Sequence, residues 1–199
     1  MREESPRPRP GTDREEVAAL SPTGLDRRLL VALRARGTDA RVAAVARALS
    51  LGGEHGALWL AAGLLGAARS AGDPVRRGAW LRGTALVGTA HLTSMVLKRV
   101  VRRPRPRLPG AVPLVRTVGR HSFPSAHAAS SAAAALAFCT LGPAGLCVPP
   151  LAVAVCVSRL VVGVHYPTDV AAGAALGALI ARLGTVGTRG PYSGGARHG

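Results

Sequence analysis

Residues 121–158, HSFPSAHAASSAAAALAFCTLGPAGLCVPPLAVAVCVS, run for 38 positions without an Asp, Glu, Lys or Arg. A membrane span needs roughly 20 predominantly apolar residues. The stretch is interrupted by Gly142, Pro143 and Gly145, so it reads as two spanning helices joined by a tight turn. An uncharged run of that length is hard to house in a soluble chain of 199 residues. Two further uncharged runs, 55–68 and 83–97, precede it. Helices are therefore expected near 55–71, 79–98, 124–141, 145–163 and 168–187. The fold class is all-α: a polytopic membrane helix bundle of about five spanning helices plus an N-terminal amphipathic helix. Aromatic residues make up only 3% of the chain. The apolar content is thus mostly Ala, Leu and Val, which suits close helix packing better than a β-sandwich.

The rest of the chain divides around this bundle. Residues 1–24 are rich in Pro, Arg and Glu and read as a disordered tail, with no apolar run long enough for a signal peptide. Residues 25–50 alternate Leu, Val and Ala with Arg27, Arg28, Arg34, Arg36, Arg41 and Arg47. They are expected to form an amphipathic interfacial helix broken near Gly37. Residues 55–187 form the catalytic transmembrane bundle, and 188–199 a flexible tail. Cys139, Cys147 and Cys156 lie in apolar runs and read as small buried hydrophobes.

Charge narrows the function. The formal net charge is +16, which suits nucleic acid, an anionic membrane surface or a phosphorylated substrate. The basic residues cluster at the ends of apolar helices without interleaved aromatics, which argues against nucleic acid. Lys98 is the single Lys beside 25 Arg, and Asp169 is the only carboxylate side chain after residue 73.

Three motifs sit at helix ends. Lys98-Arg99-Val100-Val101-Arg102-Arg103-Pro104-Arg105-Pro106 closes an uncharged helix with a burst of positive charge. Pro124-Ser125-Ala126-His127 is a good helix start, with His127 in the first turn. In Ser158-Arg159-Leu160-Val161-Val162-Gly163-Val164-His165-Tyr166-Pro167-Thr168-Asp169, an isolated Arg lies inside an apolar helix. His165 and Asp169, four apart, allow a carboxylate to hold Nδ1–H and leave Nε2 as a nucleophile. In an up-and-down bundle Lys98, His127, Arg159 and His165 share one membrane face. Cations and helix N-termini together make an anion site, most simply for phosphate. Two histidines, one paired with Asp, divide into nucleophile and general acid. There are too few carboxylate or thiolate ligands nearby for a metal site.

The pattern Lys-x6-Arg-Pro, Pro-Ser-x-His and Ser-Arg-x5-His-x3-Asp resembles the type-2 phosphatidic acid phosphatase superfamily, which includes the vanadium-dependent haloperoxidases. The resemblance spans residues 55 to 187. It implies a cofactor-free, metal-independent hydrolase acting on a phosphomonoester or pyrophosphate of a membrane lipid. His165 would attack phosphorus and form a phosphohistidine, oriented by Asp169. His127 would protonate the leaving oxygen and then activate water. Lys98, Arg105, Arg159, Ser125 and the N–H of Ala126 would hold the phosphoryl oxygens. Ala126 stands where the family usually has Gly, while His91 and His121 are left as structural. Within the family the short form with Pro-Ser-Ala-His is similar to an actinobacterial branch acting on polyprenylphosphoryl-phosphoribose, so polyprenyl-linked phosphates rank first. Phosphatidic acid and phosphatidylglycerol phosphate are the alternatives. A protein that merely binds anionic lipid would explain the charge but not His127, His165 and Asp169. Many family members present this site to the outside. The loop from Lys98 to Arg120 nevertheless carries eight basic residues, which points to a cytoplasmic face.

Overall fold

The computed structural model describes residues 22–186 except 109, 111 and 118. The tails expected at 1–24 and 188–199 lie outside the described residues, apart from Pro22–Gly24, which open the first helix. The described residues form eight α-helices: α1 Pro22–Arg36, α2 Ala40–Gly52, α3 Ala57–Arg69, α4 Pro74–Val101, α5 Ala126–Phe138, the short α6 Pro143–Leu146, α7 Val148–Val161 and α8 Pro167–Val186. A 3-10 turn, Glu54–Gly56, links α2 to α3. Among the described residues there is no β-strand, only an isolated bridge between Pro104 and His121.

Local chemistry sets the helix ends. Asp39 caps α2 by accepting from the N–H groups of Arg41 (2.8 Å) and Val42 (3.0 Å). Asp73 caps α4 through Arg76 N–H at 2.9 Å, with Pro74 in the first turn. Ser125 accepts from Ala128 N–H at the start of α5. The segment expected as one broken interfacial helix is α1 and α2, parted at Gly37–Asp39. Both are docked: Asp26, Leu30, Ala43, Ala46 and Ser50 are buried, and the two helices lie against α7 and α8.

At the centre stands α5. Its Ala126, Ala128, Ala129, Ser130, Ser131, Ala133 and Ala134 are all buried, and α4, α7 and α8 surround it. The contact with α8 is backbone to backbone. A Cβ on Gly173 would come within 2.3 Å of the Ser125 carbonyl oxygen, and one on Gly177 within 2.0 Å of that of Ala129. Small residues four apart let two helices approach this closely. Towards the other end Trp80 stacks on Phe138 at 4.9 Å between ring centroids, and Trp59 donates to Ser131 Oγ at 3.0 Å.

The outer surface is apolar: Leu64, Leu65, Leu92, Val96, Leu136, Val153, Leu179 and Leu183 point outward while alanines and serines fill the interior. Exposed apolar side chains in this number suit a surface that meets other apolar material. Each of the five apolar segments forms a helix at its expected place. Of the described helical stretches, Pro143–Val161 is the one long and apolar enough to cross a membrane by length and composition. Cys147 departs from expectation: it is exposed in the turn between α6 and α7, whereas Cys139 and Cys156 are partly covered.

Replacing Gly177 by Ala should force α5 and α8 apart and lower stability by about 1–3 kcal/mol, seen as a fall in Tm in detergent. Gly88→Ala on α4, where nothing lies within 4 Å of the new Cβ, should leave Tm unchanged or raise it slightly.

Candidate active site

Helix direction brings the chemistry together. The ends of α2, α4 and α7 and the starts of α3, α5 and α8 converge at one end of the bundle, around a cavity of about 290 Å³. Lys98, Arg105, Ala126, His127, Arg159 and His165 all line it. Ser125 and Asp169 lie just behind the wall, each 0% exposed. All eight residues singled out from the sequence are thus gathered in one place.

His165 sits in the turn between α7 and α8 and is 2% exposed. Its Nδ1 lies 3.5 Å from Asp169 Oδ2, a loose approach that faces the carboxylate and leaves Nε2 towards the cavity. Burial pulls the His165 imidazole down from the ordinary 6.5 to about 3, opposed by the Asp169 carboxylate and reinforced by Arg159, Lys98 and Arg105. A pKa lowered that far makes the ring a free base throughout the physiological range, as a nucleophile requires. Asp169 is held from several sides. Its Oδ2 accepts from Tyr166 N–H at 2.8 Å and its Oδ1 from Arg103 at 2.8 Å, while its backbone carbonyl accepts from Ser125 N–H at 2.9 Å. That last bond ties the start of α8 to the start of α5.

On the opposite wall His127 Nε2 lies 3.0 Å from the Ser50 carbonyl oxygen. A carbonyl only accepts, so Nε2 carries hydrogen and Nδ1 is the nitrogen left for proton transfer. Ser50 Oγ also accepts from Arg159 NH1, and Arg159 Nε has no hydrogen-bond partner. Lys98 Nζ donates to the carbonyls of Ser122 (3.0 Å) and Pro124, clamping the turn that leads into α5. The compact ammonium thus meets two carbonyls of a single turn from one nitrogen. Arg105 donates to Gly119 O at 2.7 Å and Val164 O at 3.0 Å, which braces the two loops around the cavity mouth. With α5 starting at the wall, its first-turn N–H groups add to the positive field. The whole arrangement is a cavity lined by cations beside two imidazoles. No group of three or more His, Cys, Asp or Glu among the described residues could hold a metal ion.

Several participants were not visible beforehand. Arg103 was lost in its basic cluster, yet it joins Asp169 Oδ1 to Asp26 Oδ2 (2.8 Å each), donates to Thr168 Oγ1 at 2.7 Å and covers the Tyr166 ring at 4.2 Å. Asp26, 4% exposed, also accepts from Thr168 N–H at 2.9 Å. Glu54, His55, His91 and His121 line the cavity too; His91 and His121 therefore belong to its wall rather than to the structural core. Asp26 is one of two acids, with Asp39, in the basic segment 25–50, and its partners are 77 and 142 residues away.

A family model described as the PAP2 superfamily matches residues 79–189. The chain is 52% identical over 130 residues to a decaprenylphosphoryl-5-phosphoribose phosphatase of Mycolicibacterium smegmatis, covering 64% of this chain and 68% of that one. It is 46% identical over 143 residues to the protein of the same name from Mycobacterium tuberculosis, covering 69% and 75%. In fold it is similar to a crystal structure of a transmembrane PAP2-type phosphatidylglycerolphosphate phosphatase from Bacillus subtilis. The TM-score is 0.66 at 22% identity, over 88% of this chain and 92% of that one.

Asp26→Ala should leave the Thr168 N–H without its acceptor and Arg103 with Asp169 as its remaining carboxylate, lowering stability by about 2–3 kcal/mol in a thermal unfolding experiment. Asp73→Ala, which removes only an exposed helix cap, should cost about 1 kcal/mol.

Proposed function

The chain belongs to the PAP2 superfamily and is a lipid phosphatase, and we propose that it hydrolyses a polyprenyl-linked phosphomonoester through a phosphohistidine on His165. The observation that carries this reading is the shared cavity: His165, with Asp169 behind it, faces His127 across three buried or half-buried cations. In the first step Nε2 of His165 attacks phosphorus while the bond to the leaving oxygen breaks. His127, which takes a proton on Nδ1 when the phosphate dianion enters the cavity, gives that proton to the leaving oxygen. In the second step neutral His127 takes a proton from water, whose oxygen attacks phosphorus. The P–N bond breaks, inorganic phosphate leaves and His165 is restored. Asp169 orients the ring and offsets the charge it acquires. Lys98, Arg105, Arg159 and the α5 N-terminus hold the phosphoryl oxygens, where each donor is worth about 10²–10³ in rate. The Ala126 methyl leaves the backbone N–H in place, so phosphate binding does not need the family's Gly.

The identity to two decaprenylphosphoryl-5-phosphoribose phosphatases supports a polyprenyl-linked phosphosugar as substrate. The apolar outer surface supports a bundle in which α3, α4, α5, the α6–α7 stretch and α8 all cross the membrane, with α1 and α2 at its interface. The eight basic residues from Lys98 to Arg120 support a cytoplasmic active-site face.

His165→Ala should abolish turnover, and acid-labile radioactive phosphate should be trapped on the wild type but not on the variant. Label on both at equal levels would refute the nucleophile assignment. Asp169→Asn should remain folded yet turn over up to about 10⁴-fold more slowly. Sidedness is read with single-cysteine variants: Leu108→Cys in the active-site loop and native Cys147 at the far end of α7. With an impermeant thiol reagent on intact cells, Cys147 should label, whereas a cysteine at 108 should label only after permeabilisation; the reverse pattern puts the site outside.

A further inference from the structure

The reaction as derived leaves one wall of the cavity unused. It is formed by Glu54 and His55 in the turn after α2, by His91 and Met95 on α4, and by Arg99 beyond them. Three features set Glu54, His55 and His91 apart from ordinary filler. Glu54 is the one carboxylate among the described residues lining the cavity; among those residues no hydrogen bond or ion pair engages its side chain, and its charge acts on the Arg159 guanidinium. His91 Nδ1 is buried without a hydrogen-bond partner, its ring 6.4 Å from that of His55. His55 is held at φ 54 and Gly56 at φ 72. A non-glycine residue in the left-handed region costs roughly 1–2 kcal/mol, so the turn is held against its own preference while it presents these side chains.

The wall also has a defined place relative to the chemistry. Gly53 abuts the His127 ring closely enough that a Cβ would meet Cδ2 at 2.9 Å, and Ser50 accepts from the same ring. Glu54 therefore follows directly on the residues that hold His127, the group that protonates the leaving oxygen. Glu54, His55 and His91 line the same cavity as His127 and His165, so a leaving group held in that cavity meets this wall. A carboxylate here repels a phosphoryl dianion and does nothing for a hydrocarbon chain. Vicinal hydroxyls suit it, because a carboxylate accepts two hydrogen bonds and an imidazole nitrogen can accept or donate a third.

We infer that Glu54, His55 and His91 form the subsite for a polyhydroxylated leaving group, binding the pentose hydroxyls of a lipid-linked phosphosugar. Arg99 at its rim suits the second phosphate that joins sugar to lipid. This rests on the phosphatase reading above and adds the residues that select the substrate. Glu54 and His91 act on binding and not on the bond that breaks.

The test compares kcat/KM for three substrates in detergent: a short-chain polyprenylphosphoryl-5-phosphoribose, its 2,3-dideoxy analogue, and phosphatidic acid. Wild type should favour the ribose compound over the dideoxy compound by about 10-fold or more, mainly through KM. In Glu54→Gln and His91→Leu that preference should collapse towards unity. Because each ratio is measured on one protein sample, a loss of folded material cancels from it. Equal rates on the ribose and dideoxy compounds in wild type, or an undiminished preference in both variants, overturns the subsite while leaving the phosphatase reading intact. A wild type that cleaves phosphatidic acid but not the phosphoribose lipid overturns the substrate proposal, and the subsite with it.

Discussion

The close approach of α5 and α8 governs the rest of the structure. Gly173 and Gly177 bring the α8 backbone against the carbonyls of Ser125 and Ala129, where any larger residue would collide. That contact places the first turn of α8 beside the first turn of α5 and lets Ser125 N–H bond the Asp169 carbonyl. Without it, the carboxylate behind His165 and the helix start that carries His127 would belong to separate parts of the molecule. In an apolar surrounding there is little hydrophobic drive between helices, so fit between small residues takes over that task. The run of Ala and Ser along α5 serves the same end from the other side.

The second constraint is charge held away from water. Arg159 is 5% exposed and Asp169 fully buried, an arrangement that is costly unless each charge is met by partners. The structure meets it with a chain of contacts: Asp169 to Arg103, Arg103 to Asp26, Asp26 to Thr168, with Ser50 reaching Arg159 and His127. Two of these partners, Asp26 and Ser50, come from α1 and α2. The N-terminal helices are thus part of the site's electrostatics, and the bundle 55–187 lacks those two partners.

Different parts of this molecule were legible from the sequence to different degrees. The eight site residues were readable because each lies in a short motif at a helix end, and alternating helix direction sends those ends to one face. His165 and Asp169 are four apart, so local geometry nearly determines their pairing. Arg103 was not readable: it is one of several arginines within a few residues, and only its partners distinguish it. His91 looked structural because nothing nearby in sequence pairs with it; His55 meets it from a turn 36 residues earlier, across the α3–α4 pair.

What the sequence alone determined is what depends on spacing within a helix or on composition. That covers the all-helical class, the helix positions, the break near Gly37, the gathering of cations at one end of the bundle and the three motifs. Only the tertiary structure decided what depends on long-range closure. It docked α1 and α2, gave Asp169 its cation Arg103, aligned Nε2 of His127 on a carbonyl 77 residues away, and built a carboxylate and two imidazoles into the cavity wall. The physical reason is range. Helical periodicity and capping act over a few residues and leave a pattern in the chain, whereas a buried charge or ring nitrogen takes whichever partner the packing brings within about 3 Å.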